Sequence, residues 1–363
     1  MHIKGFKEYF FEQLAKFTQE EREVFDRIYQ VWETNGELIP PKEMYSWIES
    51  TFGDIEAVKK QSFLKITNKI TYEGAIFNEL RTMRPVVGDT NFAEVIEEIH
   101  SSKNSPFSKP LTGTPEDVFG RIKGEYSITA SNIAKYDGLH GLVVFDDHDP
   151  LLFSRKRVKD YFNVATRWFL QANKVNPKAI YPLFTWNCLW KAGSSIIHGH
   201  AQLALTEGQA YSKVEALRHH ALKYQEQYRS NYFDDEYRIH EKLGLAMKIG
   251  RVRIMVKITP IKDKELLILS DAFDTDLAFT ISDLLTSLKE TLGVVSFNLA
   301  SVLAPTRKTP EVWDHMPVVT RIVDRGKLTS KTADIGAMEL YGQSVIETSP
   351  YTVFGKLQDS LTK

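Results

Sequence analysis

The stretch Ser194-Ser195-Ile196-Ile197-His198-Gly199-His200-Ala201-Gln202-Leu203-Ala204-Leu205 sets two histidines and a glutamine at alternate positions of an apolar run. That alternation is the period of a β-strand, so His198, His200 and Gln202 share one face while Ile197, Gly199, Ala201 and Leu203 share the other. An imidazole is largely unprotonated near neutral pH and can attack phosphorus to form a covalent nucleotidyl intermediate. His200 is the candidate for that attack. Its other ring nitrogen then needs an acceptor that fixes the tautomer, and the backbone carbonyl of His198, two residues back, is the natural one. Gln202 can donate an amide N–H to a phosphoryl oxygen without adding charge or a titrating proton, which suits group transfer better than hydrolysis. Two other readings stand beside this one. The histidines are ordinary polar residues of a half-solvated strand, or the His-x-His pair presents two imidazoles to zinc, although a catalytic site takes about three protein ligands and no third is near in sequence.

The elements around the motif repeat. Residues 5–33 carry Phe6, Tyr9, Phe10, Leu14, Phe17, Val24, Ile28 and Val31 at steps of three and four, the period of a helix. Pro40 and Pro41 open a shorter helix through about Trp47. Residues 1–60 thus read as an N-terminal helical arm whose aromatic stripe is packing surface for the sheet or for a neighbouring subunit. Residues 62–73 alternate as a strand, residues 88–125 are a loop-rich crossing, residues 132–145 carry strands, residues 158–175 form an amphipathic helix and residues 181–189 a strand leading to the motif. The second half follows the same order, with paired strands at 251–258 and 265–270, a helix at 274–292 and a strand at 294–303. Residues 313–320 then offer a single histidine, His315, and Pro317 where two histidines would be needed. The order predicts a tandem α+β fold, with antiparallel sheets and a helix packed on each. Residues 61–230 form the first, catalytic repeat and residues 231–363 a second, degenerate one. His219, His220 and His240 read as solvated positions on a charged helical stretch over residues 212–241.

Composition narrows the class. At 363 residues, and with about 150 residues per domain as a prior, two modules are expected, and 21 Phe, 15 Tyr and 6 Trp supply their cores. The 46 basic residues balance 47 acidic ones, which argues against a nucleic-acid groove or a polybasic membrane patch. The lone Cys188 excludes an intramolecular disulfide and fits a reducing compartment. No secretory segment or apolar run near 18 residues is evident, so the expected address is the cytoplasm.

The histidine motif, with Asn187 and Ser195 ahead of it, resembles the galactose-1-phosphate uridylyltransferase-like branch of the histidine-triad (HIT) superfamily. Phe77-Asn78-Glu79-Leu80-Arg81-Thr82-Met83-Arg84-Pro85 is similar to that family's early strand with paired arginines before a proline. Ser131-Asn132-Ile133-Ala134-Lys135-Tyr136, followed by His140-Gly141-Leu142-Val143-Val144-Phe145, resembles the strand pair that holds base and ribose. The resemblance implies HIT-like repeats and a nucleotidyltransferase acting through nucleotidylated His200, with Gln202 on the phosphoryl group. It implies further that Ser195 and Asn187 position phosphate oxygens, that Asn132 touches the nucleoside, and that Arg81 and Arg84 face phosphate charge. Glu339 and Gln343 fall where relatives contact the sugar, with ordinary loop residues as the competing reading. The substrates implied are a nucleotide-sugar or dinucleotide and a phosphate-bearing acceptor, and relatives of this fold often pair as homodimers. A phosphorylase of dinucleoside polyphosphates or nucleoside-diphosphate sugars, a hydrolase, and a non-catalytic nucleotide-binding protein are the alternatives. One departure bears on cofactors. Where members of the family often carry two zinc-binding cysteines, this chain has Ser105 and Ser108, leaving His148 and His198 of four ligands, so no cofactor and no tightly held zinc is expected.

Overall fold

The computed structural model describes residues 5–83, 92–331 and 333–362. Its thirteen strands form two sheets. Strands β1 (Tyr29–Glu37), β2 (Lys60–Asn68) and β3 (Gly74–Phe77) belong to the smaller sheet. The larger sheet takes β4 (Ser127–Ser131), β5 (Leu139–Phe145), β6 (Ala179–Cys188) and β7 (His200–Glu207) from the first repeat. From the second it takes β8 (Ala246–Ile249), β9 (Val252–Val256), β10 (Leu266–Ser270), β11 (Phe297–Val302) and β12 (Val318–Asp324). Strand β13 (Ser344–Ile346) returns to the smaller sheet, beside and parallel to β3.

The larger sheet runs β4-β5-β7-β6-β11-β12-β10-β9-β8. All its pairings are antiparallel, and the two repeats meet edge to edge at β6 and β11. Their sheets are therefore one, with a pseudo-twofold relation across that central pair. Helices Arg155–Val175 and Thr275–Leu292, one from each repeat, pack together. Val158, Phe162, Ala165, Phe169 and Ala172 recur along one stripe of the first and are buried. Asp274 caps the second by accepting from the amides of Asp276 and Leu277.

One row of paired residues crosses this sheet: Ala130, Leu142, Gln202, Thr185, Ala300, Arg321, Leu267, Met255. Its centre lies between Thr185 and Ala300, so Gln202 and Arg321 hold matching places in the two repeats. The motif strand's counterpart begins only at Val318. His315 precedes it, buried, with Nε2 donating to the carbonyl of Arg218 at 3.0 Å.

The arm departs from its expected helical form. Residues 5–33 make two helices, Phe6–Leu14 and Gln19–Ile28, and then enter β1 at Tyr29. Thr18 restarts the helix through a capping box with Glu21, a local signal stronger than the continuing apolar period. β1 and β2 pair along nine residues, so the segment expected as a helical arm contributes one strand of the smaller sheet between its helices. The expected boundary at residue 60 falls on the first residue of β2.

This smaller sheet is fixed against the second repeat by buried charge. Lys257 pairs with Glu236, both almost fully buried, and Tyr29 Oη donates to Glu236 Oε1 at 3.0 Å. Arg321 pairs with Glu73 from the β2–β3 turn and lies 3.2 Å from Glu265. Burial raises the carboxyl of Glu265, which favours its protonated form and balances three acids against two bases. The histidines of residues 212–241 divide accordingly. His219 is exposed, but His240 is fully buried beside this cluster, donating through Nδ1 to the Glu236 carbonyl at 2.9 Å. A charged helical stretch reads as solvated in sequence, and the arm that covers it comes from more than 150 residues away.

Lys257→Met leaves Glu236 buried without its cation, and breaking such a pair costs about 3–5 kcal/mol. The expected result is a loss of that size in chemical denaturation, partly restored by adding Glu236→Gln. Equal stability of Lys257→Met and wild type would refute the account of how the arm is held.

Candidate active site

β7 leaves its apolar face to the helices and its polar face to the site. Ala201, Leu203 and Leu205 are buried in the main core, while His200, Gln202 and Ala204 lie on the opposite face with 8–9% exposure. The same face of the central strands carries Thr185, Asn187, Asn298 and Ala300, all partly exposed. The candidate site thus lies on one face of a continuous sheet, beside the seam between the two repeats.

Gly199, between the two histidines, is dictated by close approach. A Cβ there would stand 2.5 Å from Phe145 Cδ2 and 3.3 Å from Pro150 Cα. The Phe145 ring is stacked on Tyr161 with centroids 3.7 Å apart and cannot retreat. The chain is pressed against the core here, and the two imidazoles project from the other side.

His200 Nδ1 lies 2.8 Å from the carbonyl oxygen of His198. A carbonyl only accepts, so Nδ1 carries the ring hydrogen and Nε2 keeps its lone pair. No hydrogen bond among the described residues engages that Nε2. Burial pushes the imidazole down to about 4, so the ring is neutral at physiological pH. Phe107 meets it edge-on with centroids 4.9 Å apart and also packs at 90° to His198.

Gln202 is oriented from its flank, by a residue of the neighbouring strand on the same face. His140, fully buried on β5, has its Nε2 3.1 Å from Gln202 Oε1. On the opposite flank, Asn298 Nδ2 donates to Asn187 Oδ1 at 2.7 Å and to the Ala192 carbonyl at 2.8 Å. Arg325 holds Asn298 Oδ1 and is itself paired with Asp334. The second repeat therefore braces the loop that leads into the motif. Sequence reasoning missed His140 and Asn298. The signal for His140 was a lone histidine in an apolar strand two positions from Leu142, which pairs with Gln202; for Asn298 there was none short of the β6–β11 register.

The remaining candidates fall in different places. Ser195 is exposed in the loop before the motif, and Asn187 is on the site face. Asn132 closes its own turn, its Oδ1 accepting from the Ala134 amide at 3.1 Å, and its Nδ2 lies 3.4 Å from His140 Nε2. Arg81 lines an apolar groove of about 830 Å³ on the smaller sheet with Trp47, Phe63 and Ile76, and that groove shares no residue with the histidine motif. Arg84 lies outside the described residues. Glu339 spends its carboxylate on the amide of Gly336 at the start of helix Ala337–Tyr341, and Gln343 sits beside Gly74, so neither is offered to the histidines.

The residues at the family's zinc position do not fit that metal. Ser105 Oγ and Ser108 Oγ are 3.4 Å apart, and Ser108 donates to the Lys103 carbonyl. His198 Nε2 faces the Phe145 carbonyl at 2.8 Å, and His148 Nε2 faces that of Ile99 at 2.8 Å. Two Nδ1 atoms, 3.2 Å apart, are what remains. That is half of zinc's tetrahedral set, with hydroxyls in place of thiolates. Among the described residues, no group of three or more His, Cys, Asp or Glu is placed to hold a metal ion.

No family model matches the sequence, and no curated protein matches it. Solved structures do match the fold. An ADP-glucose phosphorylase from Arabidopsis thaliana, determined with bound ADP-glucose, superposes with a TM-score of 0.59 at 14% identity, over 80% of this chain and 96% of that one. The chain has the uridylyltransferase-like fold. A galt-like protein from the same plant gives 0.56 at 15% identity over 71% and 93% of the two chains, and a uridylyltransferase gives 0.55 at 17% over 69% and 88%. At such identities the likeness establishes architecture, and the chemistry has to be argued from the residues.

The low values for His200 and His240, both about 4, carry a sign that experiment can check. Each ring is neutral in the folded state and protonates more readily unfolded, so its contribution to stability is present above about pH 6.5 and lost as pH falls toward 4. NMR of histidine-labelled protein is expected to show the His200 ring neutral down to pH 5, with the denaturation midpoint falling across the same window. A His200 titration near 6.5 would contradict the buried, single-tautomer geometry.

Proposed function

We propose that this chain is a nucleotidyltransferase that passes a nucleoside monophosphate through His200, from a nucleotide-sugar to a phosphate-bearing acceptor. The observation that carries this reading is the state of one ring, neutral, tied through Nδ1–H to the His198 carbonyl, with a free lone pair on Nε2. That lone pair attacks the α-phosphorus, the P–N bond forms, and the bond to the bridging oxygen breaks. The sugar phosphate leaves with the electron pair. The nucleotidylated ring is an imidazolium, and the His198 carbonyl accepts its Nδ1–H more strongly in that state than before, which is where stabilisation helps the rate. In the second half-reaction a phosphate oxygen of the acceptor attacks the same phosphorus and returns the ring to its neutral form.

Neither half needs a general base, because an acceptor phosphate arrives already ionised. Water would need one, and Gln202 has no proton to take or give; this supports transfer over hydrolysis. Gln202 and Ser195 are assigned to the phosphoryl oxygens, Asn187 to holding the phosphate loop, and Asn132 to the nucleoside side. The bound ADP-glucose of a structurally similar phosphorylase supports a nucleotide-sugar as donor. The same protein keeps inorganic phosphate open as the acceptor, the phosphorylase variant of the same chemistry. No helix among the described residues is long and apolar enough to cross a membrane, and cytoplasmic operation is part of the proposal.

A radiolabelled nucleoside-diphosphate sugar is expected to leave a stable adduct on wild type and none on folded His200→Ala, whose turnover falls by several orders of magnitude. Equal labelling of the variant would end the proposal. Product analysis with a sugar phosphate against inorganic phosphate then separates transferase from phosphorylase. Because the donor set at Ser105, Ser108, His148 and His198 does not suit zinc, the work is assigned to a metal-free protein. Purified enzyme is expected to contain well under one zinc per chain and to keep its labelling rate after dialysis against a chelator. Stoichiometric zinc, or loss of labelling on chelation, would overturn that part.

A further inference from the structure

His140 is fully buried, absent from the reacting set, and bonded at both ring nitrogens. The Tyr136 amide donates to Nδ1 at 2.9 Å, so Nδ1 is an acceptor and the hydrogen must sit on Nε2. From there it is directed to Gln202 Oε1, 3.1 Å away. Asn132 Nδ2, the donor end of its amide, lies 3.4 Å from the same Nε2, longer than the approach of Gln202 Oε1. The remaining contacts hold the ring in place. Tyr136 stacks on it with centroids 4.4 Å apart and planes 23° from parallel. The His140 carbonyl takes Lys135 Nζ at 2.9 Å and the Asn132 amide at 3.1 Å, while Lys135 also reaches Ser131 Oγ at 2.7 Å. Burial lowers the imidazole's affinity for a proton, which keeps the ring neutral, and the Tyr136 amide then fixes the tautomer.

An amide side chain has an accepting end and a donating end of nearly equal shape. At a phosphoryl group the difference is decisive, since the NH₂ end attracts a phosphoryl oxygen and the carbonyl end repels it. We propose that His140 is the positioning residue that decides which end of Gln202 faces the reacting phosphate. By occupying Oε1 from the side, its Nε2–H leaves the NH₂ to the reacting phosphate. This rests on the nucleotidyl-transfer reading. The loop over residues 132–138, through the Tyr136 amide, thereby sets a hydrogen-bond polarity that reaches the phosphate two groups later.

The test is single-turnover labelling of His200 by a radiolabelled nucleoside-diphosphate sugar, in Gln202 and Gln202→Ala backgrounds. His140→Phe keeps a ring but no donor, and is expected to slow labelling about 10- to 100-fold, in the range seen for loss of one transition-state donor or its support. His140→Gln, whose amide nitrogen falls near the position of Nε2, is expected to restore most of the rate. In the Gln202→Ala background His140→Phe is expected to cost less than about 2-fold more, because the group it orients is gone. An equal loss in both backgrounds, or none in either, overturns the proposal while leaving nucleotidyl transfer intact. Absence of any label on wild type overturns both. Should His140→Phe fail to fold, ¹⁵N NMR of the ring decides independently of activity: an Nε2–H tautomer from pH 5.5 to 8 is expected, and an Nδ1–H tautomer refutes the assignment.

Discussion

The hydrogen bond from His200 Nδ1 to the carbonyl of His198 is the interaction on which this structure turns. It is local, two residues long, and worth about 1 kcal/mol as an ordinary bond. Its importance lies in what it requires. The strand must bring a carbonyl beside the ring of the second residue on, and that happens where Gly199 lets the backbone sit against Phe145 and Pro150. The ring must then be dry enough to stay neutral, which Phe107 and the strand's own burial provide. A chain of close packing, from Tyr161 through Phe145 to Gly199, thus ends in the state of one lone pair.

The same sheet shows how differently two matching positions can be used. Gln202 and Arg321 hold matching places about the β6–β11 pair, yet one faces a site and the other a wall of carboxylates. A guanidinium on that face has to be neutralised, and Glu73 arrives for the purpose from the smaller sheet. Desolvating each such charge costs several kcal/mol, which its partners recover only with good geometry. The cluster is therefore better understood as a device for placing the arm than as a source of net stability. The second repeat also reaches the candidate site. β11 supplies Asn298, which holds Asn187 and the Ala192 carbonyl, and through them the loop entering the motif.

What was legible in the sequence was what depends on short periods. The alternation of His200 and Gln202 disclosed a strand and a face, although His198 lies in the bend just before that strand, and the strand-strand-helix-strand order disclosed the repeat. The elements that escaped depend on partners distant in the chain. Tyr29 and Val31 continue the apolar period of the preceding helices, and only pairing with β2 turns them into a strand. His240 stands among charged residues, but Tyr29 and Lys257 bury it from elsewhere in the chain. Arg81, next to a proline motif, was read as phosphate-facing, whereas the fold lines an apolar groove with it. His140 was visible as a residue of the resemblance and invisible as a contact, since its tautomer is decided by a backbone amide four residues earlier.

The serines at 105 and 108 bear on the chemistry in the same way. A zinc ion would hold His198 through a covalent-strength bond and keep the motif's entry rigid. Here His198 donates to the Phe145 carbonyl, and His148 beside it is tied to Ile99 and Ser102. Both Nε2 atoms carry hydrogens toward carbonyls, so the two Nδ1 lone pairs face each other across 3.2 Å. The first histidine is oriented by the backbone carbonyl of Phe145. Orientation of the second needs no metal, because its acceptor is the backbone of the first. For that reason serines at 105 and 108 are compatible with the His200 geometry, whereas movement of the His198 carbonyl by a fraction of its 2.8 Å bond is not.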